Sequence, residues 1–208
     1  MFDTHIHTKP FSTDSGMRIE EVQEISVQKG LGIVLTEHMD YDFPPPDVYE
    51  FNPETYFQNY GFCRNDQFLL GVEIGLQSIV LEKNKELVNS YPFDMVIGSV
   101  HAVYQKDLYY QEFREQIDMI LEHLACQEKS LEINTRLFGK QEAVQELEKI
   151  CRRFKELGGR TVTVGSDAHR AAAVGSRISE TYAMGIRCGL LPVIYRKRQA
   201  YEAAVLQI

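Results

Sequence analysis

Short apolar segments alternate with amphipathic segments along most of the chain. The apolar segments predict strands at Phe2–Ile6, Leu31–Leu35, Phe68–Val72, Met95–Val100, Leu131–Ile133 and Thr161–Val164, with Val193–Arg196 as a candidate closing strand. Apolar residues at helical spacing predict helices at Ile19–Lys29, Glu82–Asn89, Glu112–Gln127, Gln141–Leu157 and Ser179–Cys188. This alternation favours an α/β fold in which helices cover a parallel sheet, either open or closed into a barrel.

The segments between these elements do not divide the chain. Three consecutive prolines, Pro44–Pro46, exclude a helix or a central strand, so the surrounding segment 41–53 is predicted to be a loop. The charged run 195–199 is predicted to be a solvated surface. Without a repeat, a low-complexity tract or a linker in the sequence, residues 1–208 are expected to form a single domain.

Composition narrows the classes of partner and the compartment. A net charge of −8 argues against nucleic acid, which requires a basic face. The sequence has no apolar run long enough for a membrane span and begins without secretory-signal features. None of the four cysteines is spaced as CxxC, so neither a zinc knuckle nor a redox pair is indicated, and reduced, partly buried thiols are expected. A cytoplasmic protein without a nucleic-acid or membrane partner is therefore expected.

The histidines are placed at the ends of the predicted strands. Five of the six lie at or just past the end of an apolar run, namely His5, His7, His38, His101 and His169. Acids occupy similar positions, at Glu73 in GVEIG and at Asp167 in GSDAH. Because the carboxyl ends of parallel strands meet at one face, where metal sites are built, this pattern predicts a cluster of divalent metals.

The spacing of these residues suits metal coordination. His5 and His7 are two apart, so on a strand both imidazoles point to one face, and Asp167 and His169 are expected to repeat that geometry. Glu73, buried among apolar neighbours, could bridge two cations. Mixed nitrogen and oxygen ligands suit zinc, manganese or iron, and several such ions suit hydrolysis of a phosphoester.

Three further residues are less direct candidates. Asp14, in a turn-rich segment, could return a carboxylate to the same site. Glu37 should face away from the neighbouring His38 and could orient a ligand or be structural. His123 lies within a predicted amphipathic helix and is expected at its surface, either exposed or partly buried.

An ordered set of motifs resembles the polymerase-and-histidinol-phosphatase (PHP) superfamily, in particular its histidinol-phosphate phosphatase branch. The motifs, which span nearly the whole chain, are DTHIHT, TEHMDYDF, GVEIG, FDMVIGSVH, LEIN and VTVGSDAH. The resemblance implies a distorted (β/α)7 barrel with a trinuclear metal centre at the carboxyl ends of the strands. It also implies hydrolysis of L-histidinol phosphate, within histidine biosynthesis, by attack of a metal-bridging hydroxide.

The resemblance also implies a role for each candidate residue. His5, His7, Glu73 and Asp167 would hold a first metal, Glu73 and His101 a second, and Asp14, His38 and His169 a third. Two or three ions of zinc, manganese or iron are therefore expected. Arg136, Arg170 and Arg177 would clamp the phosphate of a small phosphorylated substrate.

The chain departs from the family between GSVH and LEIN. Family members carry an additional strand there with another histidine ligand for the second metal, whereas segment 102–130 of this chain supplies little beyond one helix. One barrel strand is therefore expected to be missing, which leaves an open edge that a loop or a second copy in a homodimer could cover. The alternatives are a PHP phosphatase for another phosphoester, such as phosphotyrosine or a small sugar phosphate, and a weakly active, metal-binding remnant.

Overall fold

The structure, a computed structural model, describes residues 1–43, 48–101, 114–136 and 138–203, without the side chain of Arg114. The strands are β1 (Phe2–Ile6), β2 (Gly32–Met39), β3 (Phe68–Gly75), β4 (Met95–Ser99), β5 (Leu131–Asn134), β6 (Thr161–Gly165), β7 (Leu191–Arg196) and β8 (Gln199–Glu202). The helices are α1 (Ile19–Lys29), α2 (Pro53–Tyr60), α3 (Leu81–Ser90), α4 (Arg114–Cys126), α5 (Gln141–Glu156) and α6 (Ile178–Arg187).

The strands form two sheets that meet at the ends of β1 and β6. The first sheet has the order β1-β2-β3-β4 and is parallel throughout. The second has the order β5-β6-β7-β8 and is parallel except for the β7–β8 hairpin. An isolated parallel bridge between Ile6 and Ala168 links them. The result is an α/β fold with a curled, half-barrel parallel sheet.

The central strands of the first sheet are buried on both faces. On the outer face, Ile33, Leu35 and Val72 belong to a core cluster with residues of the covering helices, such as Val22 of α1 and Tyr56 of α2. The inner face belongs to a second cluster, which joins both sheets through Phe2, Val34, Leu69, Met95, Val164 and Ile194. Burial on two faces explains why β2 and β3 are almost continuously apolar until their last residues.

β2 and β3 continue beyond the ends predicted from the sequence. The predictions stopped at Leu35 and Val72, whereas the strands end at Met39 and Gly75. The added residues include polar ones, of which Glu37, His38 and Glu73 are buried. In the sequence these polar residues suggested a loop. In the structure their side chains contact other parts of the protein instead of solvent, so they can be buried within the strands.

α2 begins at the last residue of the predicted loop 41–53 and runs through a segment for which no element was predicted. The side-chain oxygen of Asn52 accepts a hydrogen bond from Thr55 N at 2.9 Å, and Pro53 occupies the first turn, an arrangement typical of a helix start. Tyr56 and Tyr60 of this helix are buried against the sheet. The prolines themselves lie outside the described residues.

The charged run 195–199, predicted as a solvated surface, contains the turn of the β7–β8 hairpin, of which only β7 was predicted. Lys197 and Arg198 both have positive φ, and their side chains are exposed. Their backbone amides donate to the carboxylate and the carbonyl of Asp94 at 2.9 and 2.8 Å. The run therefore ties the hairpin to the start of β4.

The other predicted helices are confirmed to within one or two residues wherever the structure describes them, and α1 matches at both ends. The start predicted for α4, at Glu112, lies outside the described residues. None of the helices that the described segments form is long and apolar enough to cross a membrane.

The complete (β/α)7 barrel stays unconfirmed. Between β4 and β5, the described residues contribute α4 and no strand, and these two strands are not neighbours in either sheet. This agrees with the expectation that a strand is missing there, as far as the described residues extend. The homodimer stays a prediction.

Candidate metal centre

All eight candidate ligands lie at the carboxyl end of the half barrel. The first sheet and its loops contribute His5, His7, Asp14, His38, Glu73 and His101, and the loop after β6 contributes Asp167 and His169. Four of them are buried, namely His5, His7, His38 and Glu73, and the side chains of Asp167 and His169 are both 13% exposed. Distances between their donor atoms define three overlapping groups.

In the first group, two histidines face two carboxylates. Nε2 of His5 lies 3.2 Å from Glu73 Oε2 and 3.8 Å from Asp167 Oδ1. Nε2 of His7 lies 3.6 and 3.4 Å from the same two oxygens. The four side chains therefore enclose one position between β1, β3 and the loop after β6.

The second group joins β2 to the loops before α1 and after β6. Oδ2 of Asp14 lies 3.5 Å from His38 Nε2 and 3.0 Å from His169 Nε2. The two Nε2 atoms are 3.3 Å apart. The ring of His7 stacks against both of these rings, with its centroid 4.0 Å from that of His38 and 4.4 Å from that of His169.

The third group surrounds Glu73 on the β4 side. Oε1 of Glu73 lies 3.0 Å from His101 Nε2 and accepts a hydrogen bond from Ser99 Oγ at 2.6 Å. Nδ1 of His101 lies 2.7 Å from Oδ1 of Asp40, a residue that the sequence analysis did not single out. A signal was present, since Asp40 follows His38 by two positions and can share its side of the chain.

These groups fit divalent metal ions. Two donor atoms that each lie about 2.1 Å from one ion at a tetrahedral angle are about 3.4 Å apart, close to the separations observed. Within the described part of the chain, several buried donor atoms have no hydrogen-bond partner, namely Nε2 of His5, Nε2 of His7, Nδ1 of His38 and Oε2 of Glu73. Such atoms are costly to bury unless another group satisfies them, and a cation does so for all four.

The protonation equilibria of the site point the same way. Burial lowers the pKa of His7 to about 3, so its imidazole is neutral and able to coordinate. For His38 and His101, burial is outweighed by the neighbouring carboxylates, which raise the pKa to about 9 and about 10. Protons thus neutralise clustered acids when no ion is bound, and a divalent cation can replace those protons.

Glu37 holds the loop that carries Asp14. It is fully buried on the face opposite His38, as expected, and accepts hydrogen bonds from Thr8 N at 2.9 Å and Ser12 Oγ at 2.7 Å. The same hydroxyl of Ser12 lies 3.2 Å from His7 Nδ1 and accepts from the backbone of His38. Glu37 therefore orients two candidate ligands and does not approach the donor groups itself.

The loop after β6 differs from the strand geometry predicted for Asp167 and His169. β6 ends at Gly165, and Asp167 has a left-handed backbone with φ 52°. A Cβ on Gly165 would collide with His5, so the glycine permits the close approach of β6 to β1. The expectation of strand alternation is wrong, yet the loop still places His169 Nδ1 3.4 Å from Asp167 Oδ1.

Two residues of β5 support the first group. Oε1 of Glu132 lies 2.7 Å from His5 Nδ1, and Asn134 donates to Asp167 Oδ2 at 3.2 Å. A hydrogen bond at Nδ1 leaves Nε2 of His5 free to coordinate. The sequence analysis did not identify Glu132, which precedes Asn134 by two positions on the same strand.

The three arginines occupy different surroundings. Arg136 is exposed and its Nη1 lies 3.1 Å from Asp167 Oδ2. Arg170 is exposed and directly follows His169. Arg177 pairs with Glu180 and lines an open cavity of about 650 Å³ at α5 and α6, and none of the eight candidate ligands lines that cavity. The structure therefore brings Arg136 into contact with a candidate ligand, whereas Arg177 contacts Glu180 at a cavity that none of the candidate ligands lines.

A half barrel that gathers histidines and carboxylates at the strand ends is the architecture of a metal-dependent hydrolase. Residues 3–159 match the PHP domain family. A probable histidinol-phosphatase of Clostridium acetobutylicum is 34% identical over an alignment that covers 95% of this chain and 98% of that protein. The chain belongs to the PHP domain family.

Two further comparisons support this placement. A histidinol-phosphatase of Lactococcus lactis subsp. lactis is 28% identical over 81% of this chain and 84% of its own length. A crystal structure of histidinol phosphate phosphatase from the same organism, complexed with zinc, L-histidinol and phosphate, superposes with a TM-score of 0.85 at 25% identity, covering 97% of this chain and 98% of that one.

The Clostridium relative also bears on the length of this chain. Its alignment runs over 250 positions, more than the 208 residues of this protein. The relative therefore carries residues that this chain lacks, in line with the shortening expected from the sequence.

Proposed function

We propose that this protein is a divalent-metal-dependent phosphomonoesterase that hydrolyses L-histidinol phosphate to L-histidinol and phosphate. The observation that carries the proposal is the set of buried donor atoms at the strand ends that have no hydrogen-bond partner among the described residues. The fold shared with the Lactococcus enzyme, whose structure contains zinc, L-histidinol and phosphate, supports the choice of substrate.

Two or three ions of zinc, manganese or iron would occupy the three groups. His5, His7, Glu73 and Asp167 would hold the first ion, and Asp14, His38 and His169 the third. Glu73 would also serve a second ion with His101, because its two oxygens face different groups. Nitrogen and carboxylate donors accept all three metals, so availability decides which one binds.

Bound divalent ions would supply stabilisation of the phosphate charge and a water of lowered pKa. The protein's own part is to orient its donors. Glu132 fixes the ring of His5 through Nδ1, and Ser99 fixes one oxygen of Glu73. Burial keeps His7 unprotonated and removes competing water from the inner ligands.

The phosphate group requires cationic donors at the open side of the site. Arg136 is positioned to provide one, since its exposed guanidinium already contacts the Asp167 carboxylate. Arg170, which directly follows His169, would provide a second cationic donor. Arg177 is the third candidate that the sequence indicated. One guanidinium group can bind two phosphate oxygens at once, which favours arginine over lysine for binding the phosphate group.

Phosphate release from L-histidinol phosphate tests the proposal. The wild-type protein loaded with Mn²⁺ or Zn²⁺ should release phosphate, and both chelator-treated protein and a His101→Ala, His169→Ala double variant should not. Phosphotyrosine and sugar phosphates serve as competing substrates. Faster hydrolysis of one of these would overturn the assignment of L-histidinol phosphate as the substrate. Wild-type activity no higher than that of the double variant would overturn the proposed phosphatase activity.

A further inference from the structure

Asp40 has the burial and position of a functional residue, although no metal was assigned to it. It directly follows β2 and is 2% exposed. Oδ1 lies 2.7 Å from Nδ1 of His101, and Oδ2, which lies 3.7 Å from Nδ1 of His38, has no hydrogen-bond partner among the residues that the structure describes. Burying a carboxylate to this extent costs free energy unless it is paired with neighbouring groups.

The backbone of β3 makes room for this carboxylate. A Cβ on Gly75 would collide with Oδ1 of Asp40 and would lie 2.9 Å from its Cγ. Any larger residue at Gly75 would therefore displace the Asp40 side chain. The backbone amide of Asp40, which donates to Tyr49 O at 2.7 Å, holds the residue from the other side.

The contacts of His101 separate the tasks of its two ring nitrogens. Nδ1 meets Asp40, whereas Nε2 meets Glu73 Oε1 at 3.0 Å, a separation that two ligands of one ion can adopt. An imidazole that donates through Nδ1 presents its lone pair at Nε2. The two nitrogens point away from each other, so Oδ1 of Asp40 cannot reach the ion that Nε2 would share with Glu73.

We propose that Asp40, in the space left by Gly75, is the positioning residue of His101. It holds the Nδ1–H tautomer and the ring orientation, so that Nε2 and Glu73 bind one divalent ion together. This inference rests on the proposed metal-dependent function. The competing assignment makes Asp40 a direct ligand, because Asp40, His38 and His101 also have donor atoms within reach of one ion.

Three variants distinguish these roles. Asp40→Ala removes the acceptor, Gly75→Ala displaces it without changing charge, and Asp40→Asn keeps a carbonyl oxygen that can accept from Nδ1–H. Matched controls are Asp66→Ala, at a side chain that is 90% exposed, and Gly61→Ala, at a glycine with open space around it. Folding of each variant is verified by circular dichroism.

The first readout is zinc affinity by competition with a chelator. Asp40→Ala and Gly75→Ala should weaken the binding of one zinc ion per chain by about 10–100-fold, the usual effect of losing a carboxylate that hydrogen-bonds to a metal-binding histidine. Asp40→Asn should weaken it by less than about 10-fold, and the controls should match the wild type. Wild-type affinity in both Asp40→Ala and Gly75→Ala would overturn the proposal, and equal losses in Asp40→Asn and Asp40→Ala would identify a direct ligand instead.

The second readout is the tautomer of His101 in nitrogen-15 NMR spectra. The wild-type protein should show a protonated Nδ1 and an unprotonated Nε2 when zinc is bound, and Gly75→Ala should lose this preference. The opposite tautomer in the wild type would overturn the proposal. Neither readout depends on substrate turnover, so a zinc-binding protein without phosphatase activity would contradict the proposed function alone.

Discussion

The two sheets contribute to the metal centre by different means. In the first sheet, β2 and β3 pair over seven registered positions, including His38 opposite Glu73. Both strands are buried on two faces, so the ladder and the packing fix these side chains together. In the second sheet, β6 pairs with β7 at only two positions, and the site residues lie in a loop beyond its end.

The loop of the second sheet is held by a different device. Asp3 of β1 accepts hydrogen bonds from Ser166 N at 2.8 Å, Ser166 Oγ at 2.6 Å and Gly175 N at 2.7 Å. The Ile6–Ala168 bridge completes the connection. One half of the site thus lies on paired strands of the first sheet, and the other half lies in a loop that hydrogen bonds hold against that sheet. Substitutions in the two halves should therefore have different effects.

Replacing Glu73 should have the largest effect. Glu73→Gln removes a charge that faces His5, His38 and His101. Loss of supporting residues alone costs about 10–100-fold, so phosphatase activity should fall by more than about 100-fold, with loss of bound metal. Glu82→Gln, at an exposed position of α3, is the control. Full activity with full metal content in Glu73→Gln would refute the role of this carboxylate.

Replacing Asp3 should affect the half in the loop more than the half on the paired strands. Asp3→Ala leaves backbone amides of the β6 loop without their acceptor, which should lower the free energy of unfolding by about 1–3 kcal/mol. Urea denaturation measures the loss, and hydrogen exchange should show faster opening at Ser166 and Gly175 than in β2 and β3. Equal acceleration in both sheets would contradict the difference drawn between them.

Two arginines test which surface of the second sheet meets substrate. Arg136→Ala should raise KM for L-histidinol phosphate by about 10-fold, the effect of losing one charge-assisted hydrogen bond. Arg177→Ala should change KM by less than about 3-fold, because that side chain pairs with Glu180 at a separate cavity. Steady-state kinetics decide the question, and a larger effect at Arg177 would reverse the assignment.

The smallest effect is expected at the sixth histidine. His123 is exposed on α4, as the sequence predicted. His123→Ala should leave metal content and activity unchanged and alter stability by no more than about 0.5 kcal/mol. Elemental analysis and thermal unfolding provide the measurements, and a lost ion would show that α4 supplies a ligand.

The sequence indicated the candidate ligands more completely than the residues that contact and orient them. The five histidines and three carboxylates could be named from residue type, position and the family resemblance, and the structure places all eight at one end of the half barrel. Glu132 and Asp40 were not identified, because their contacts depend on the approach of other strands. The resemblance implied that family members have a further histidine ligand for the second metal. The spacing of residues in the sequence did not reveal that the carboxylate of Asp40 contacts His101.

Fold prediction succeeded where the local pattern and the tertiary environment agree. α1 has an apolar face and a terminal Gly30 in the left-handed conformation, and both of its ends were predicted. α2 was missed because the neighbouring prolines dominated the pattern, although Asn52 and Pro53 carried a helix-start signal. β8 consists entirely of exposed residues, so it carries no apolar pattern from which to predict it.

Anomalous diffraction at the zinc edge, from crystals grown with zinc, tests most directly whether one centre draws on both sheets. We predict a peak with Glu73 of the first sheet and Asp167 of the second within about 2.0–2.3 Å, together with a histidine nitrogen. A map without peaks at the strand ends, or with ions held by residues of one sheet alone, would contradict this account.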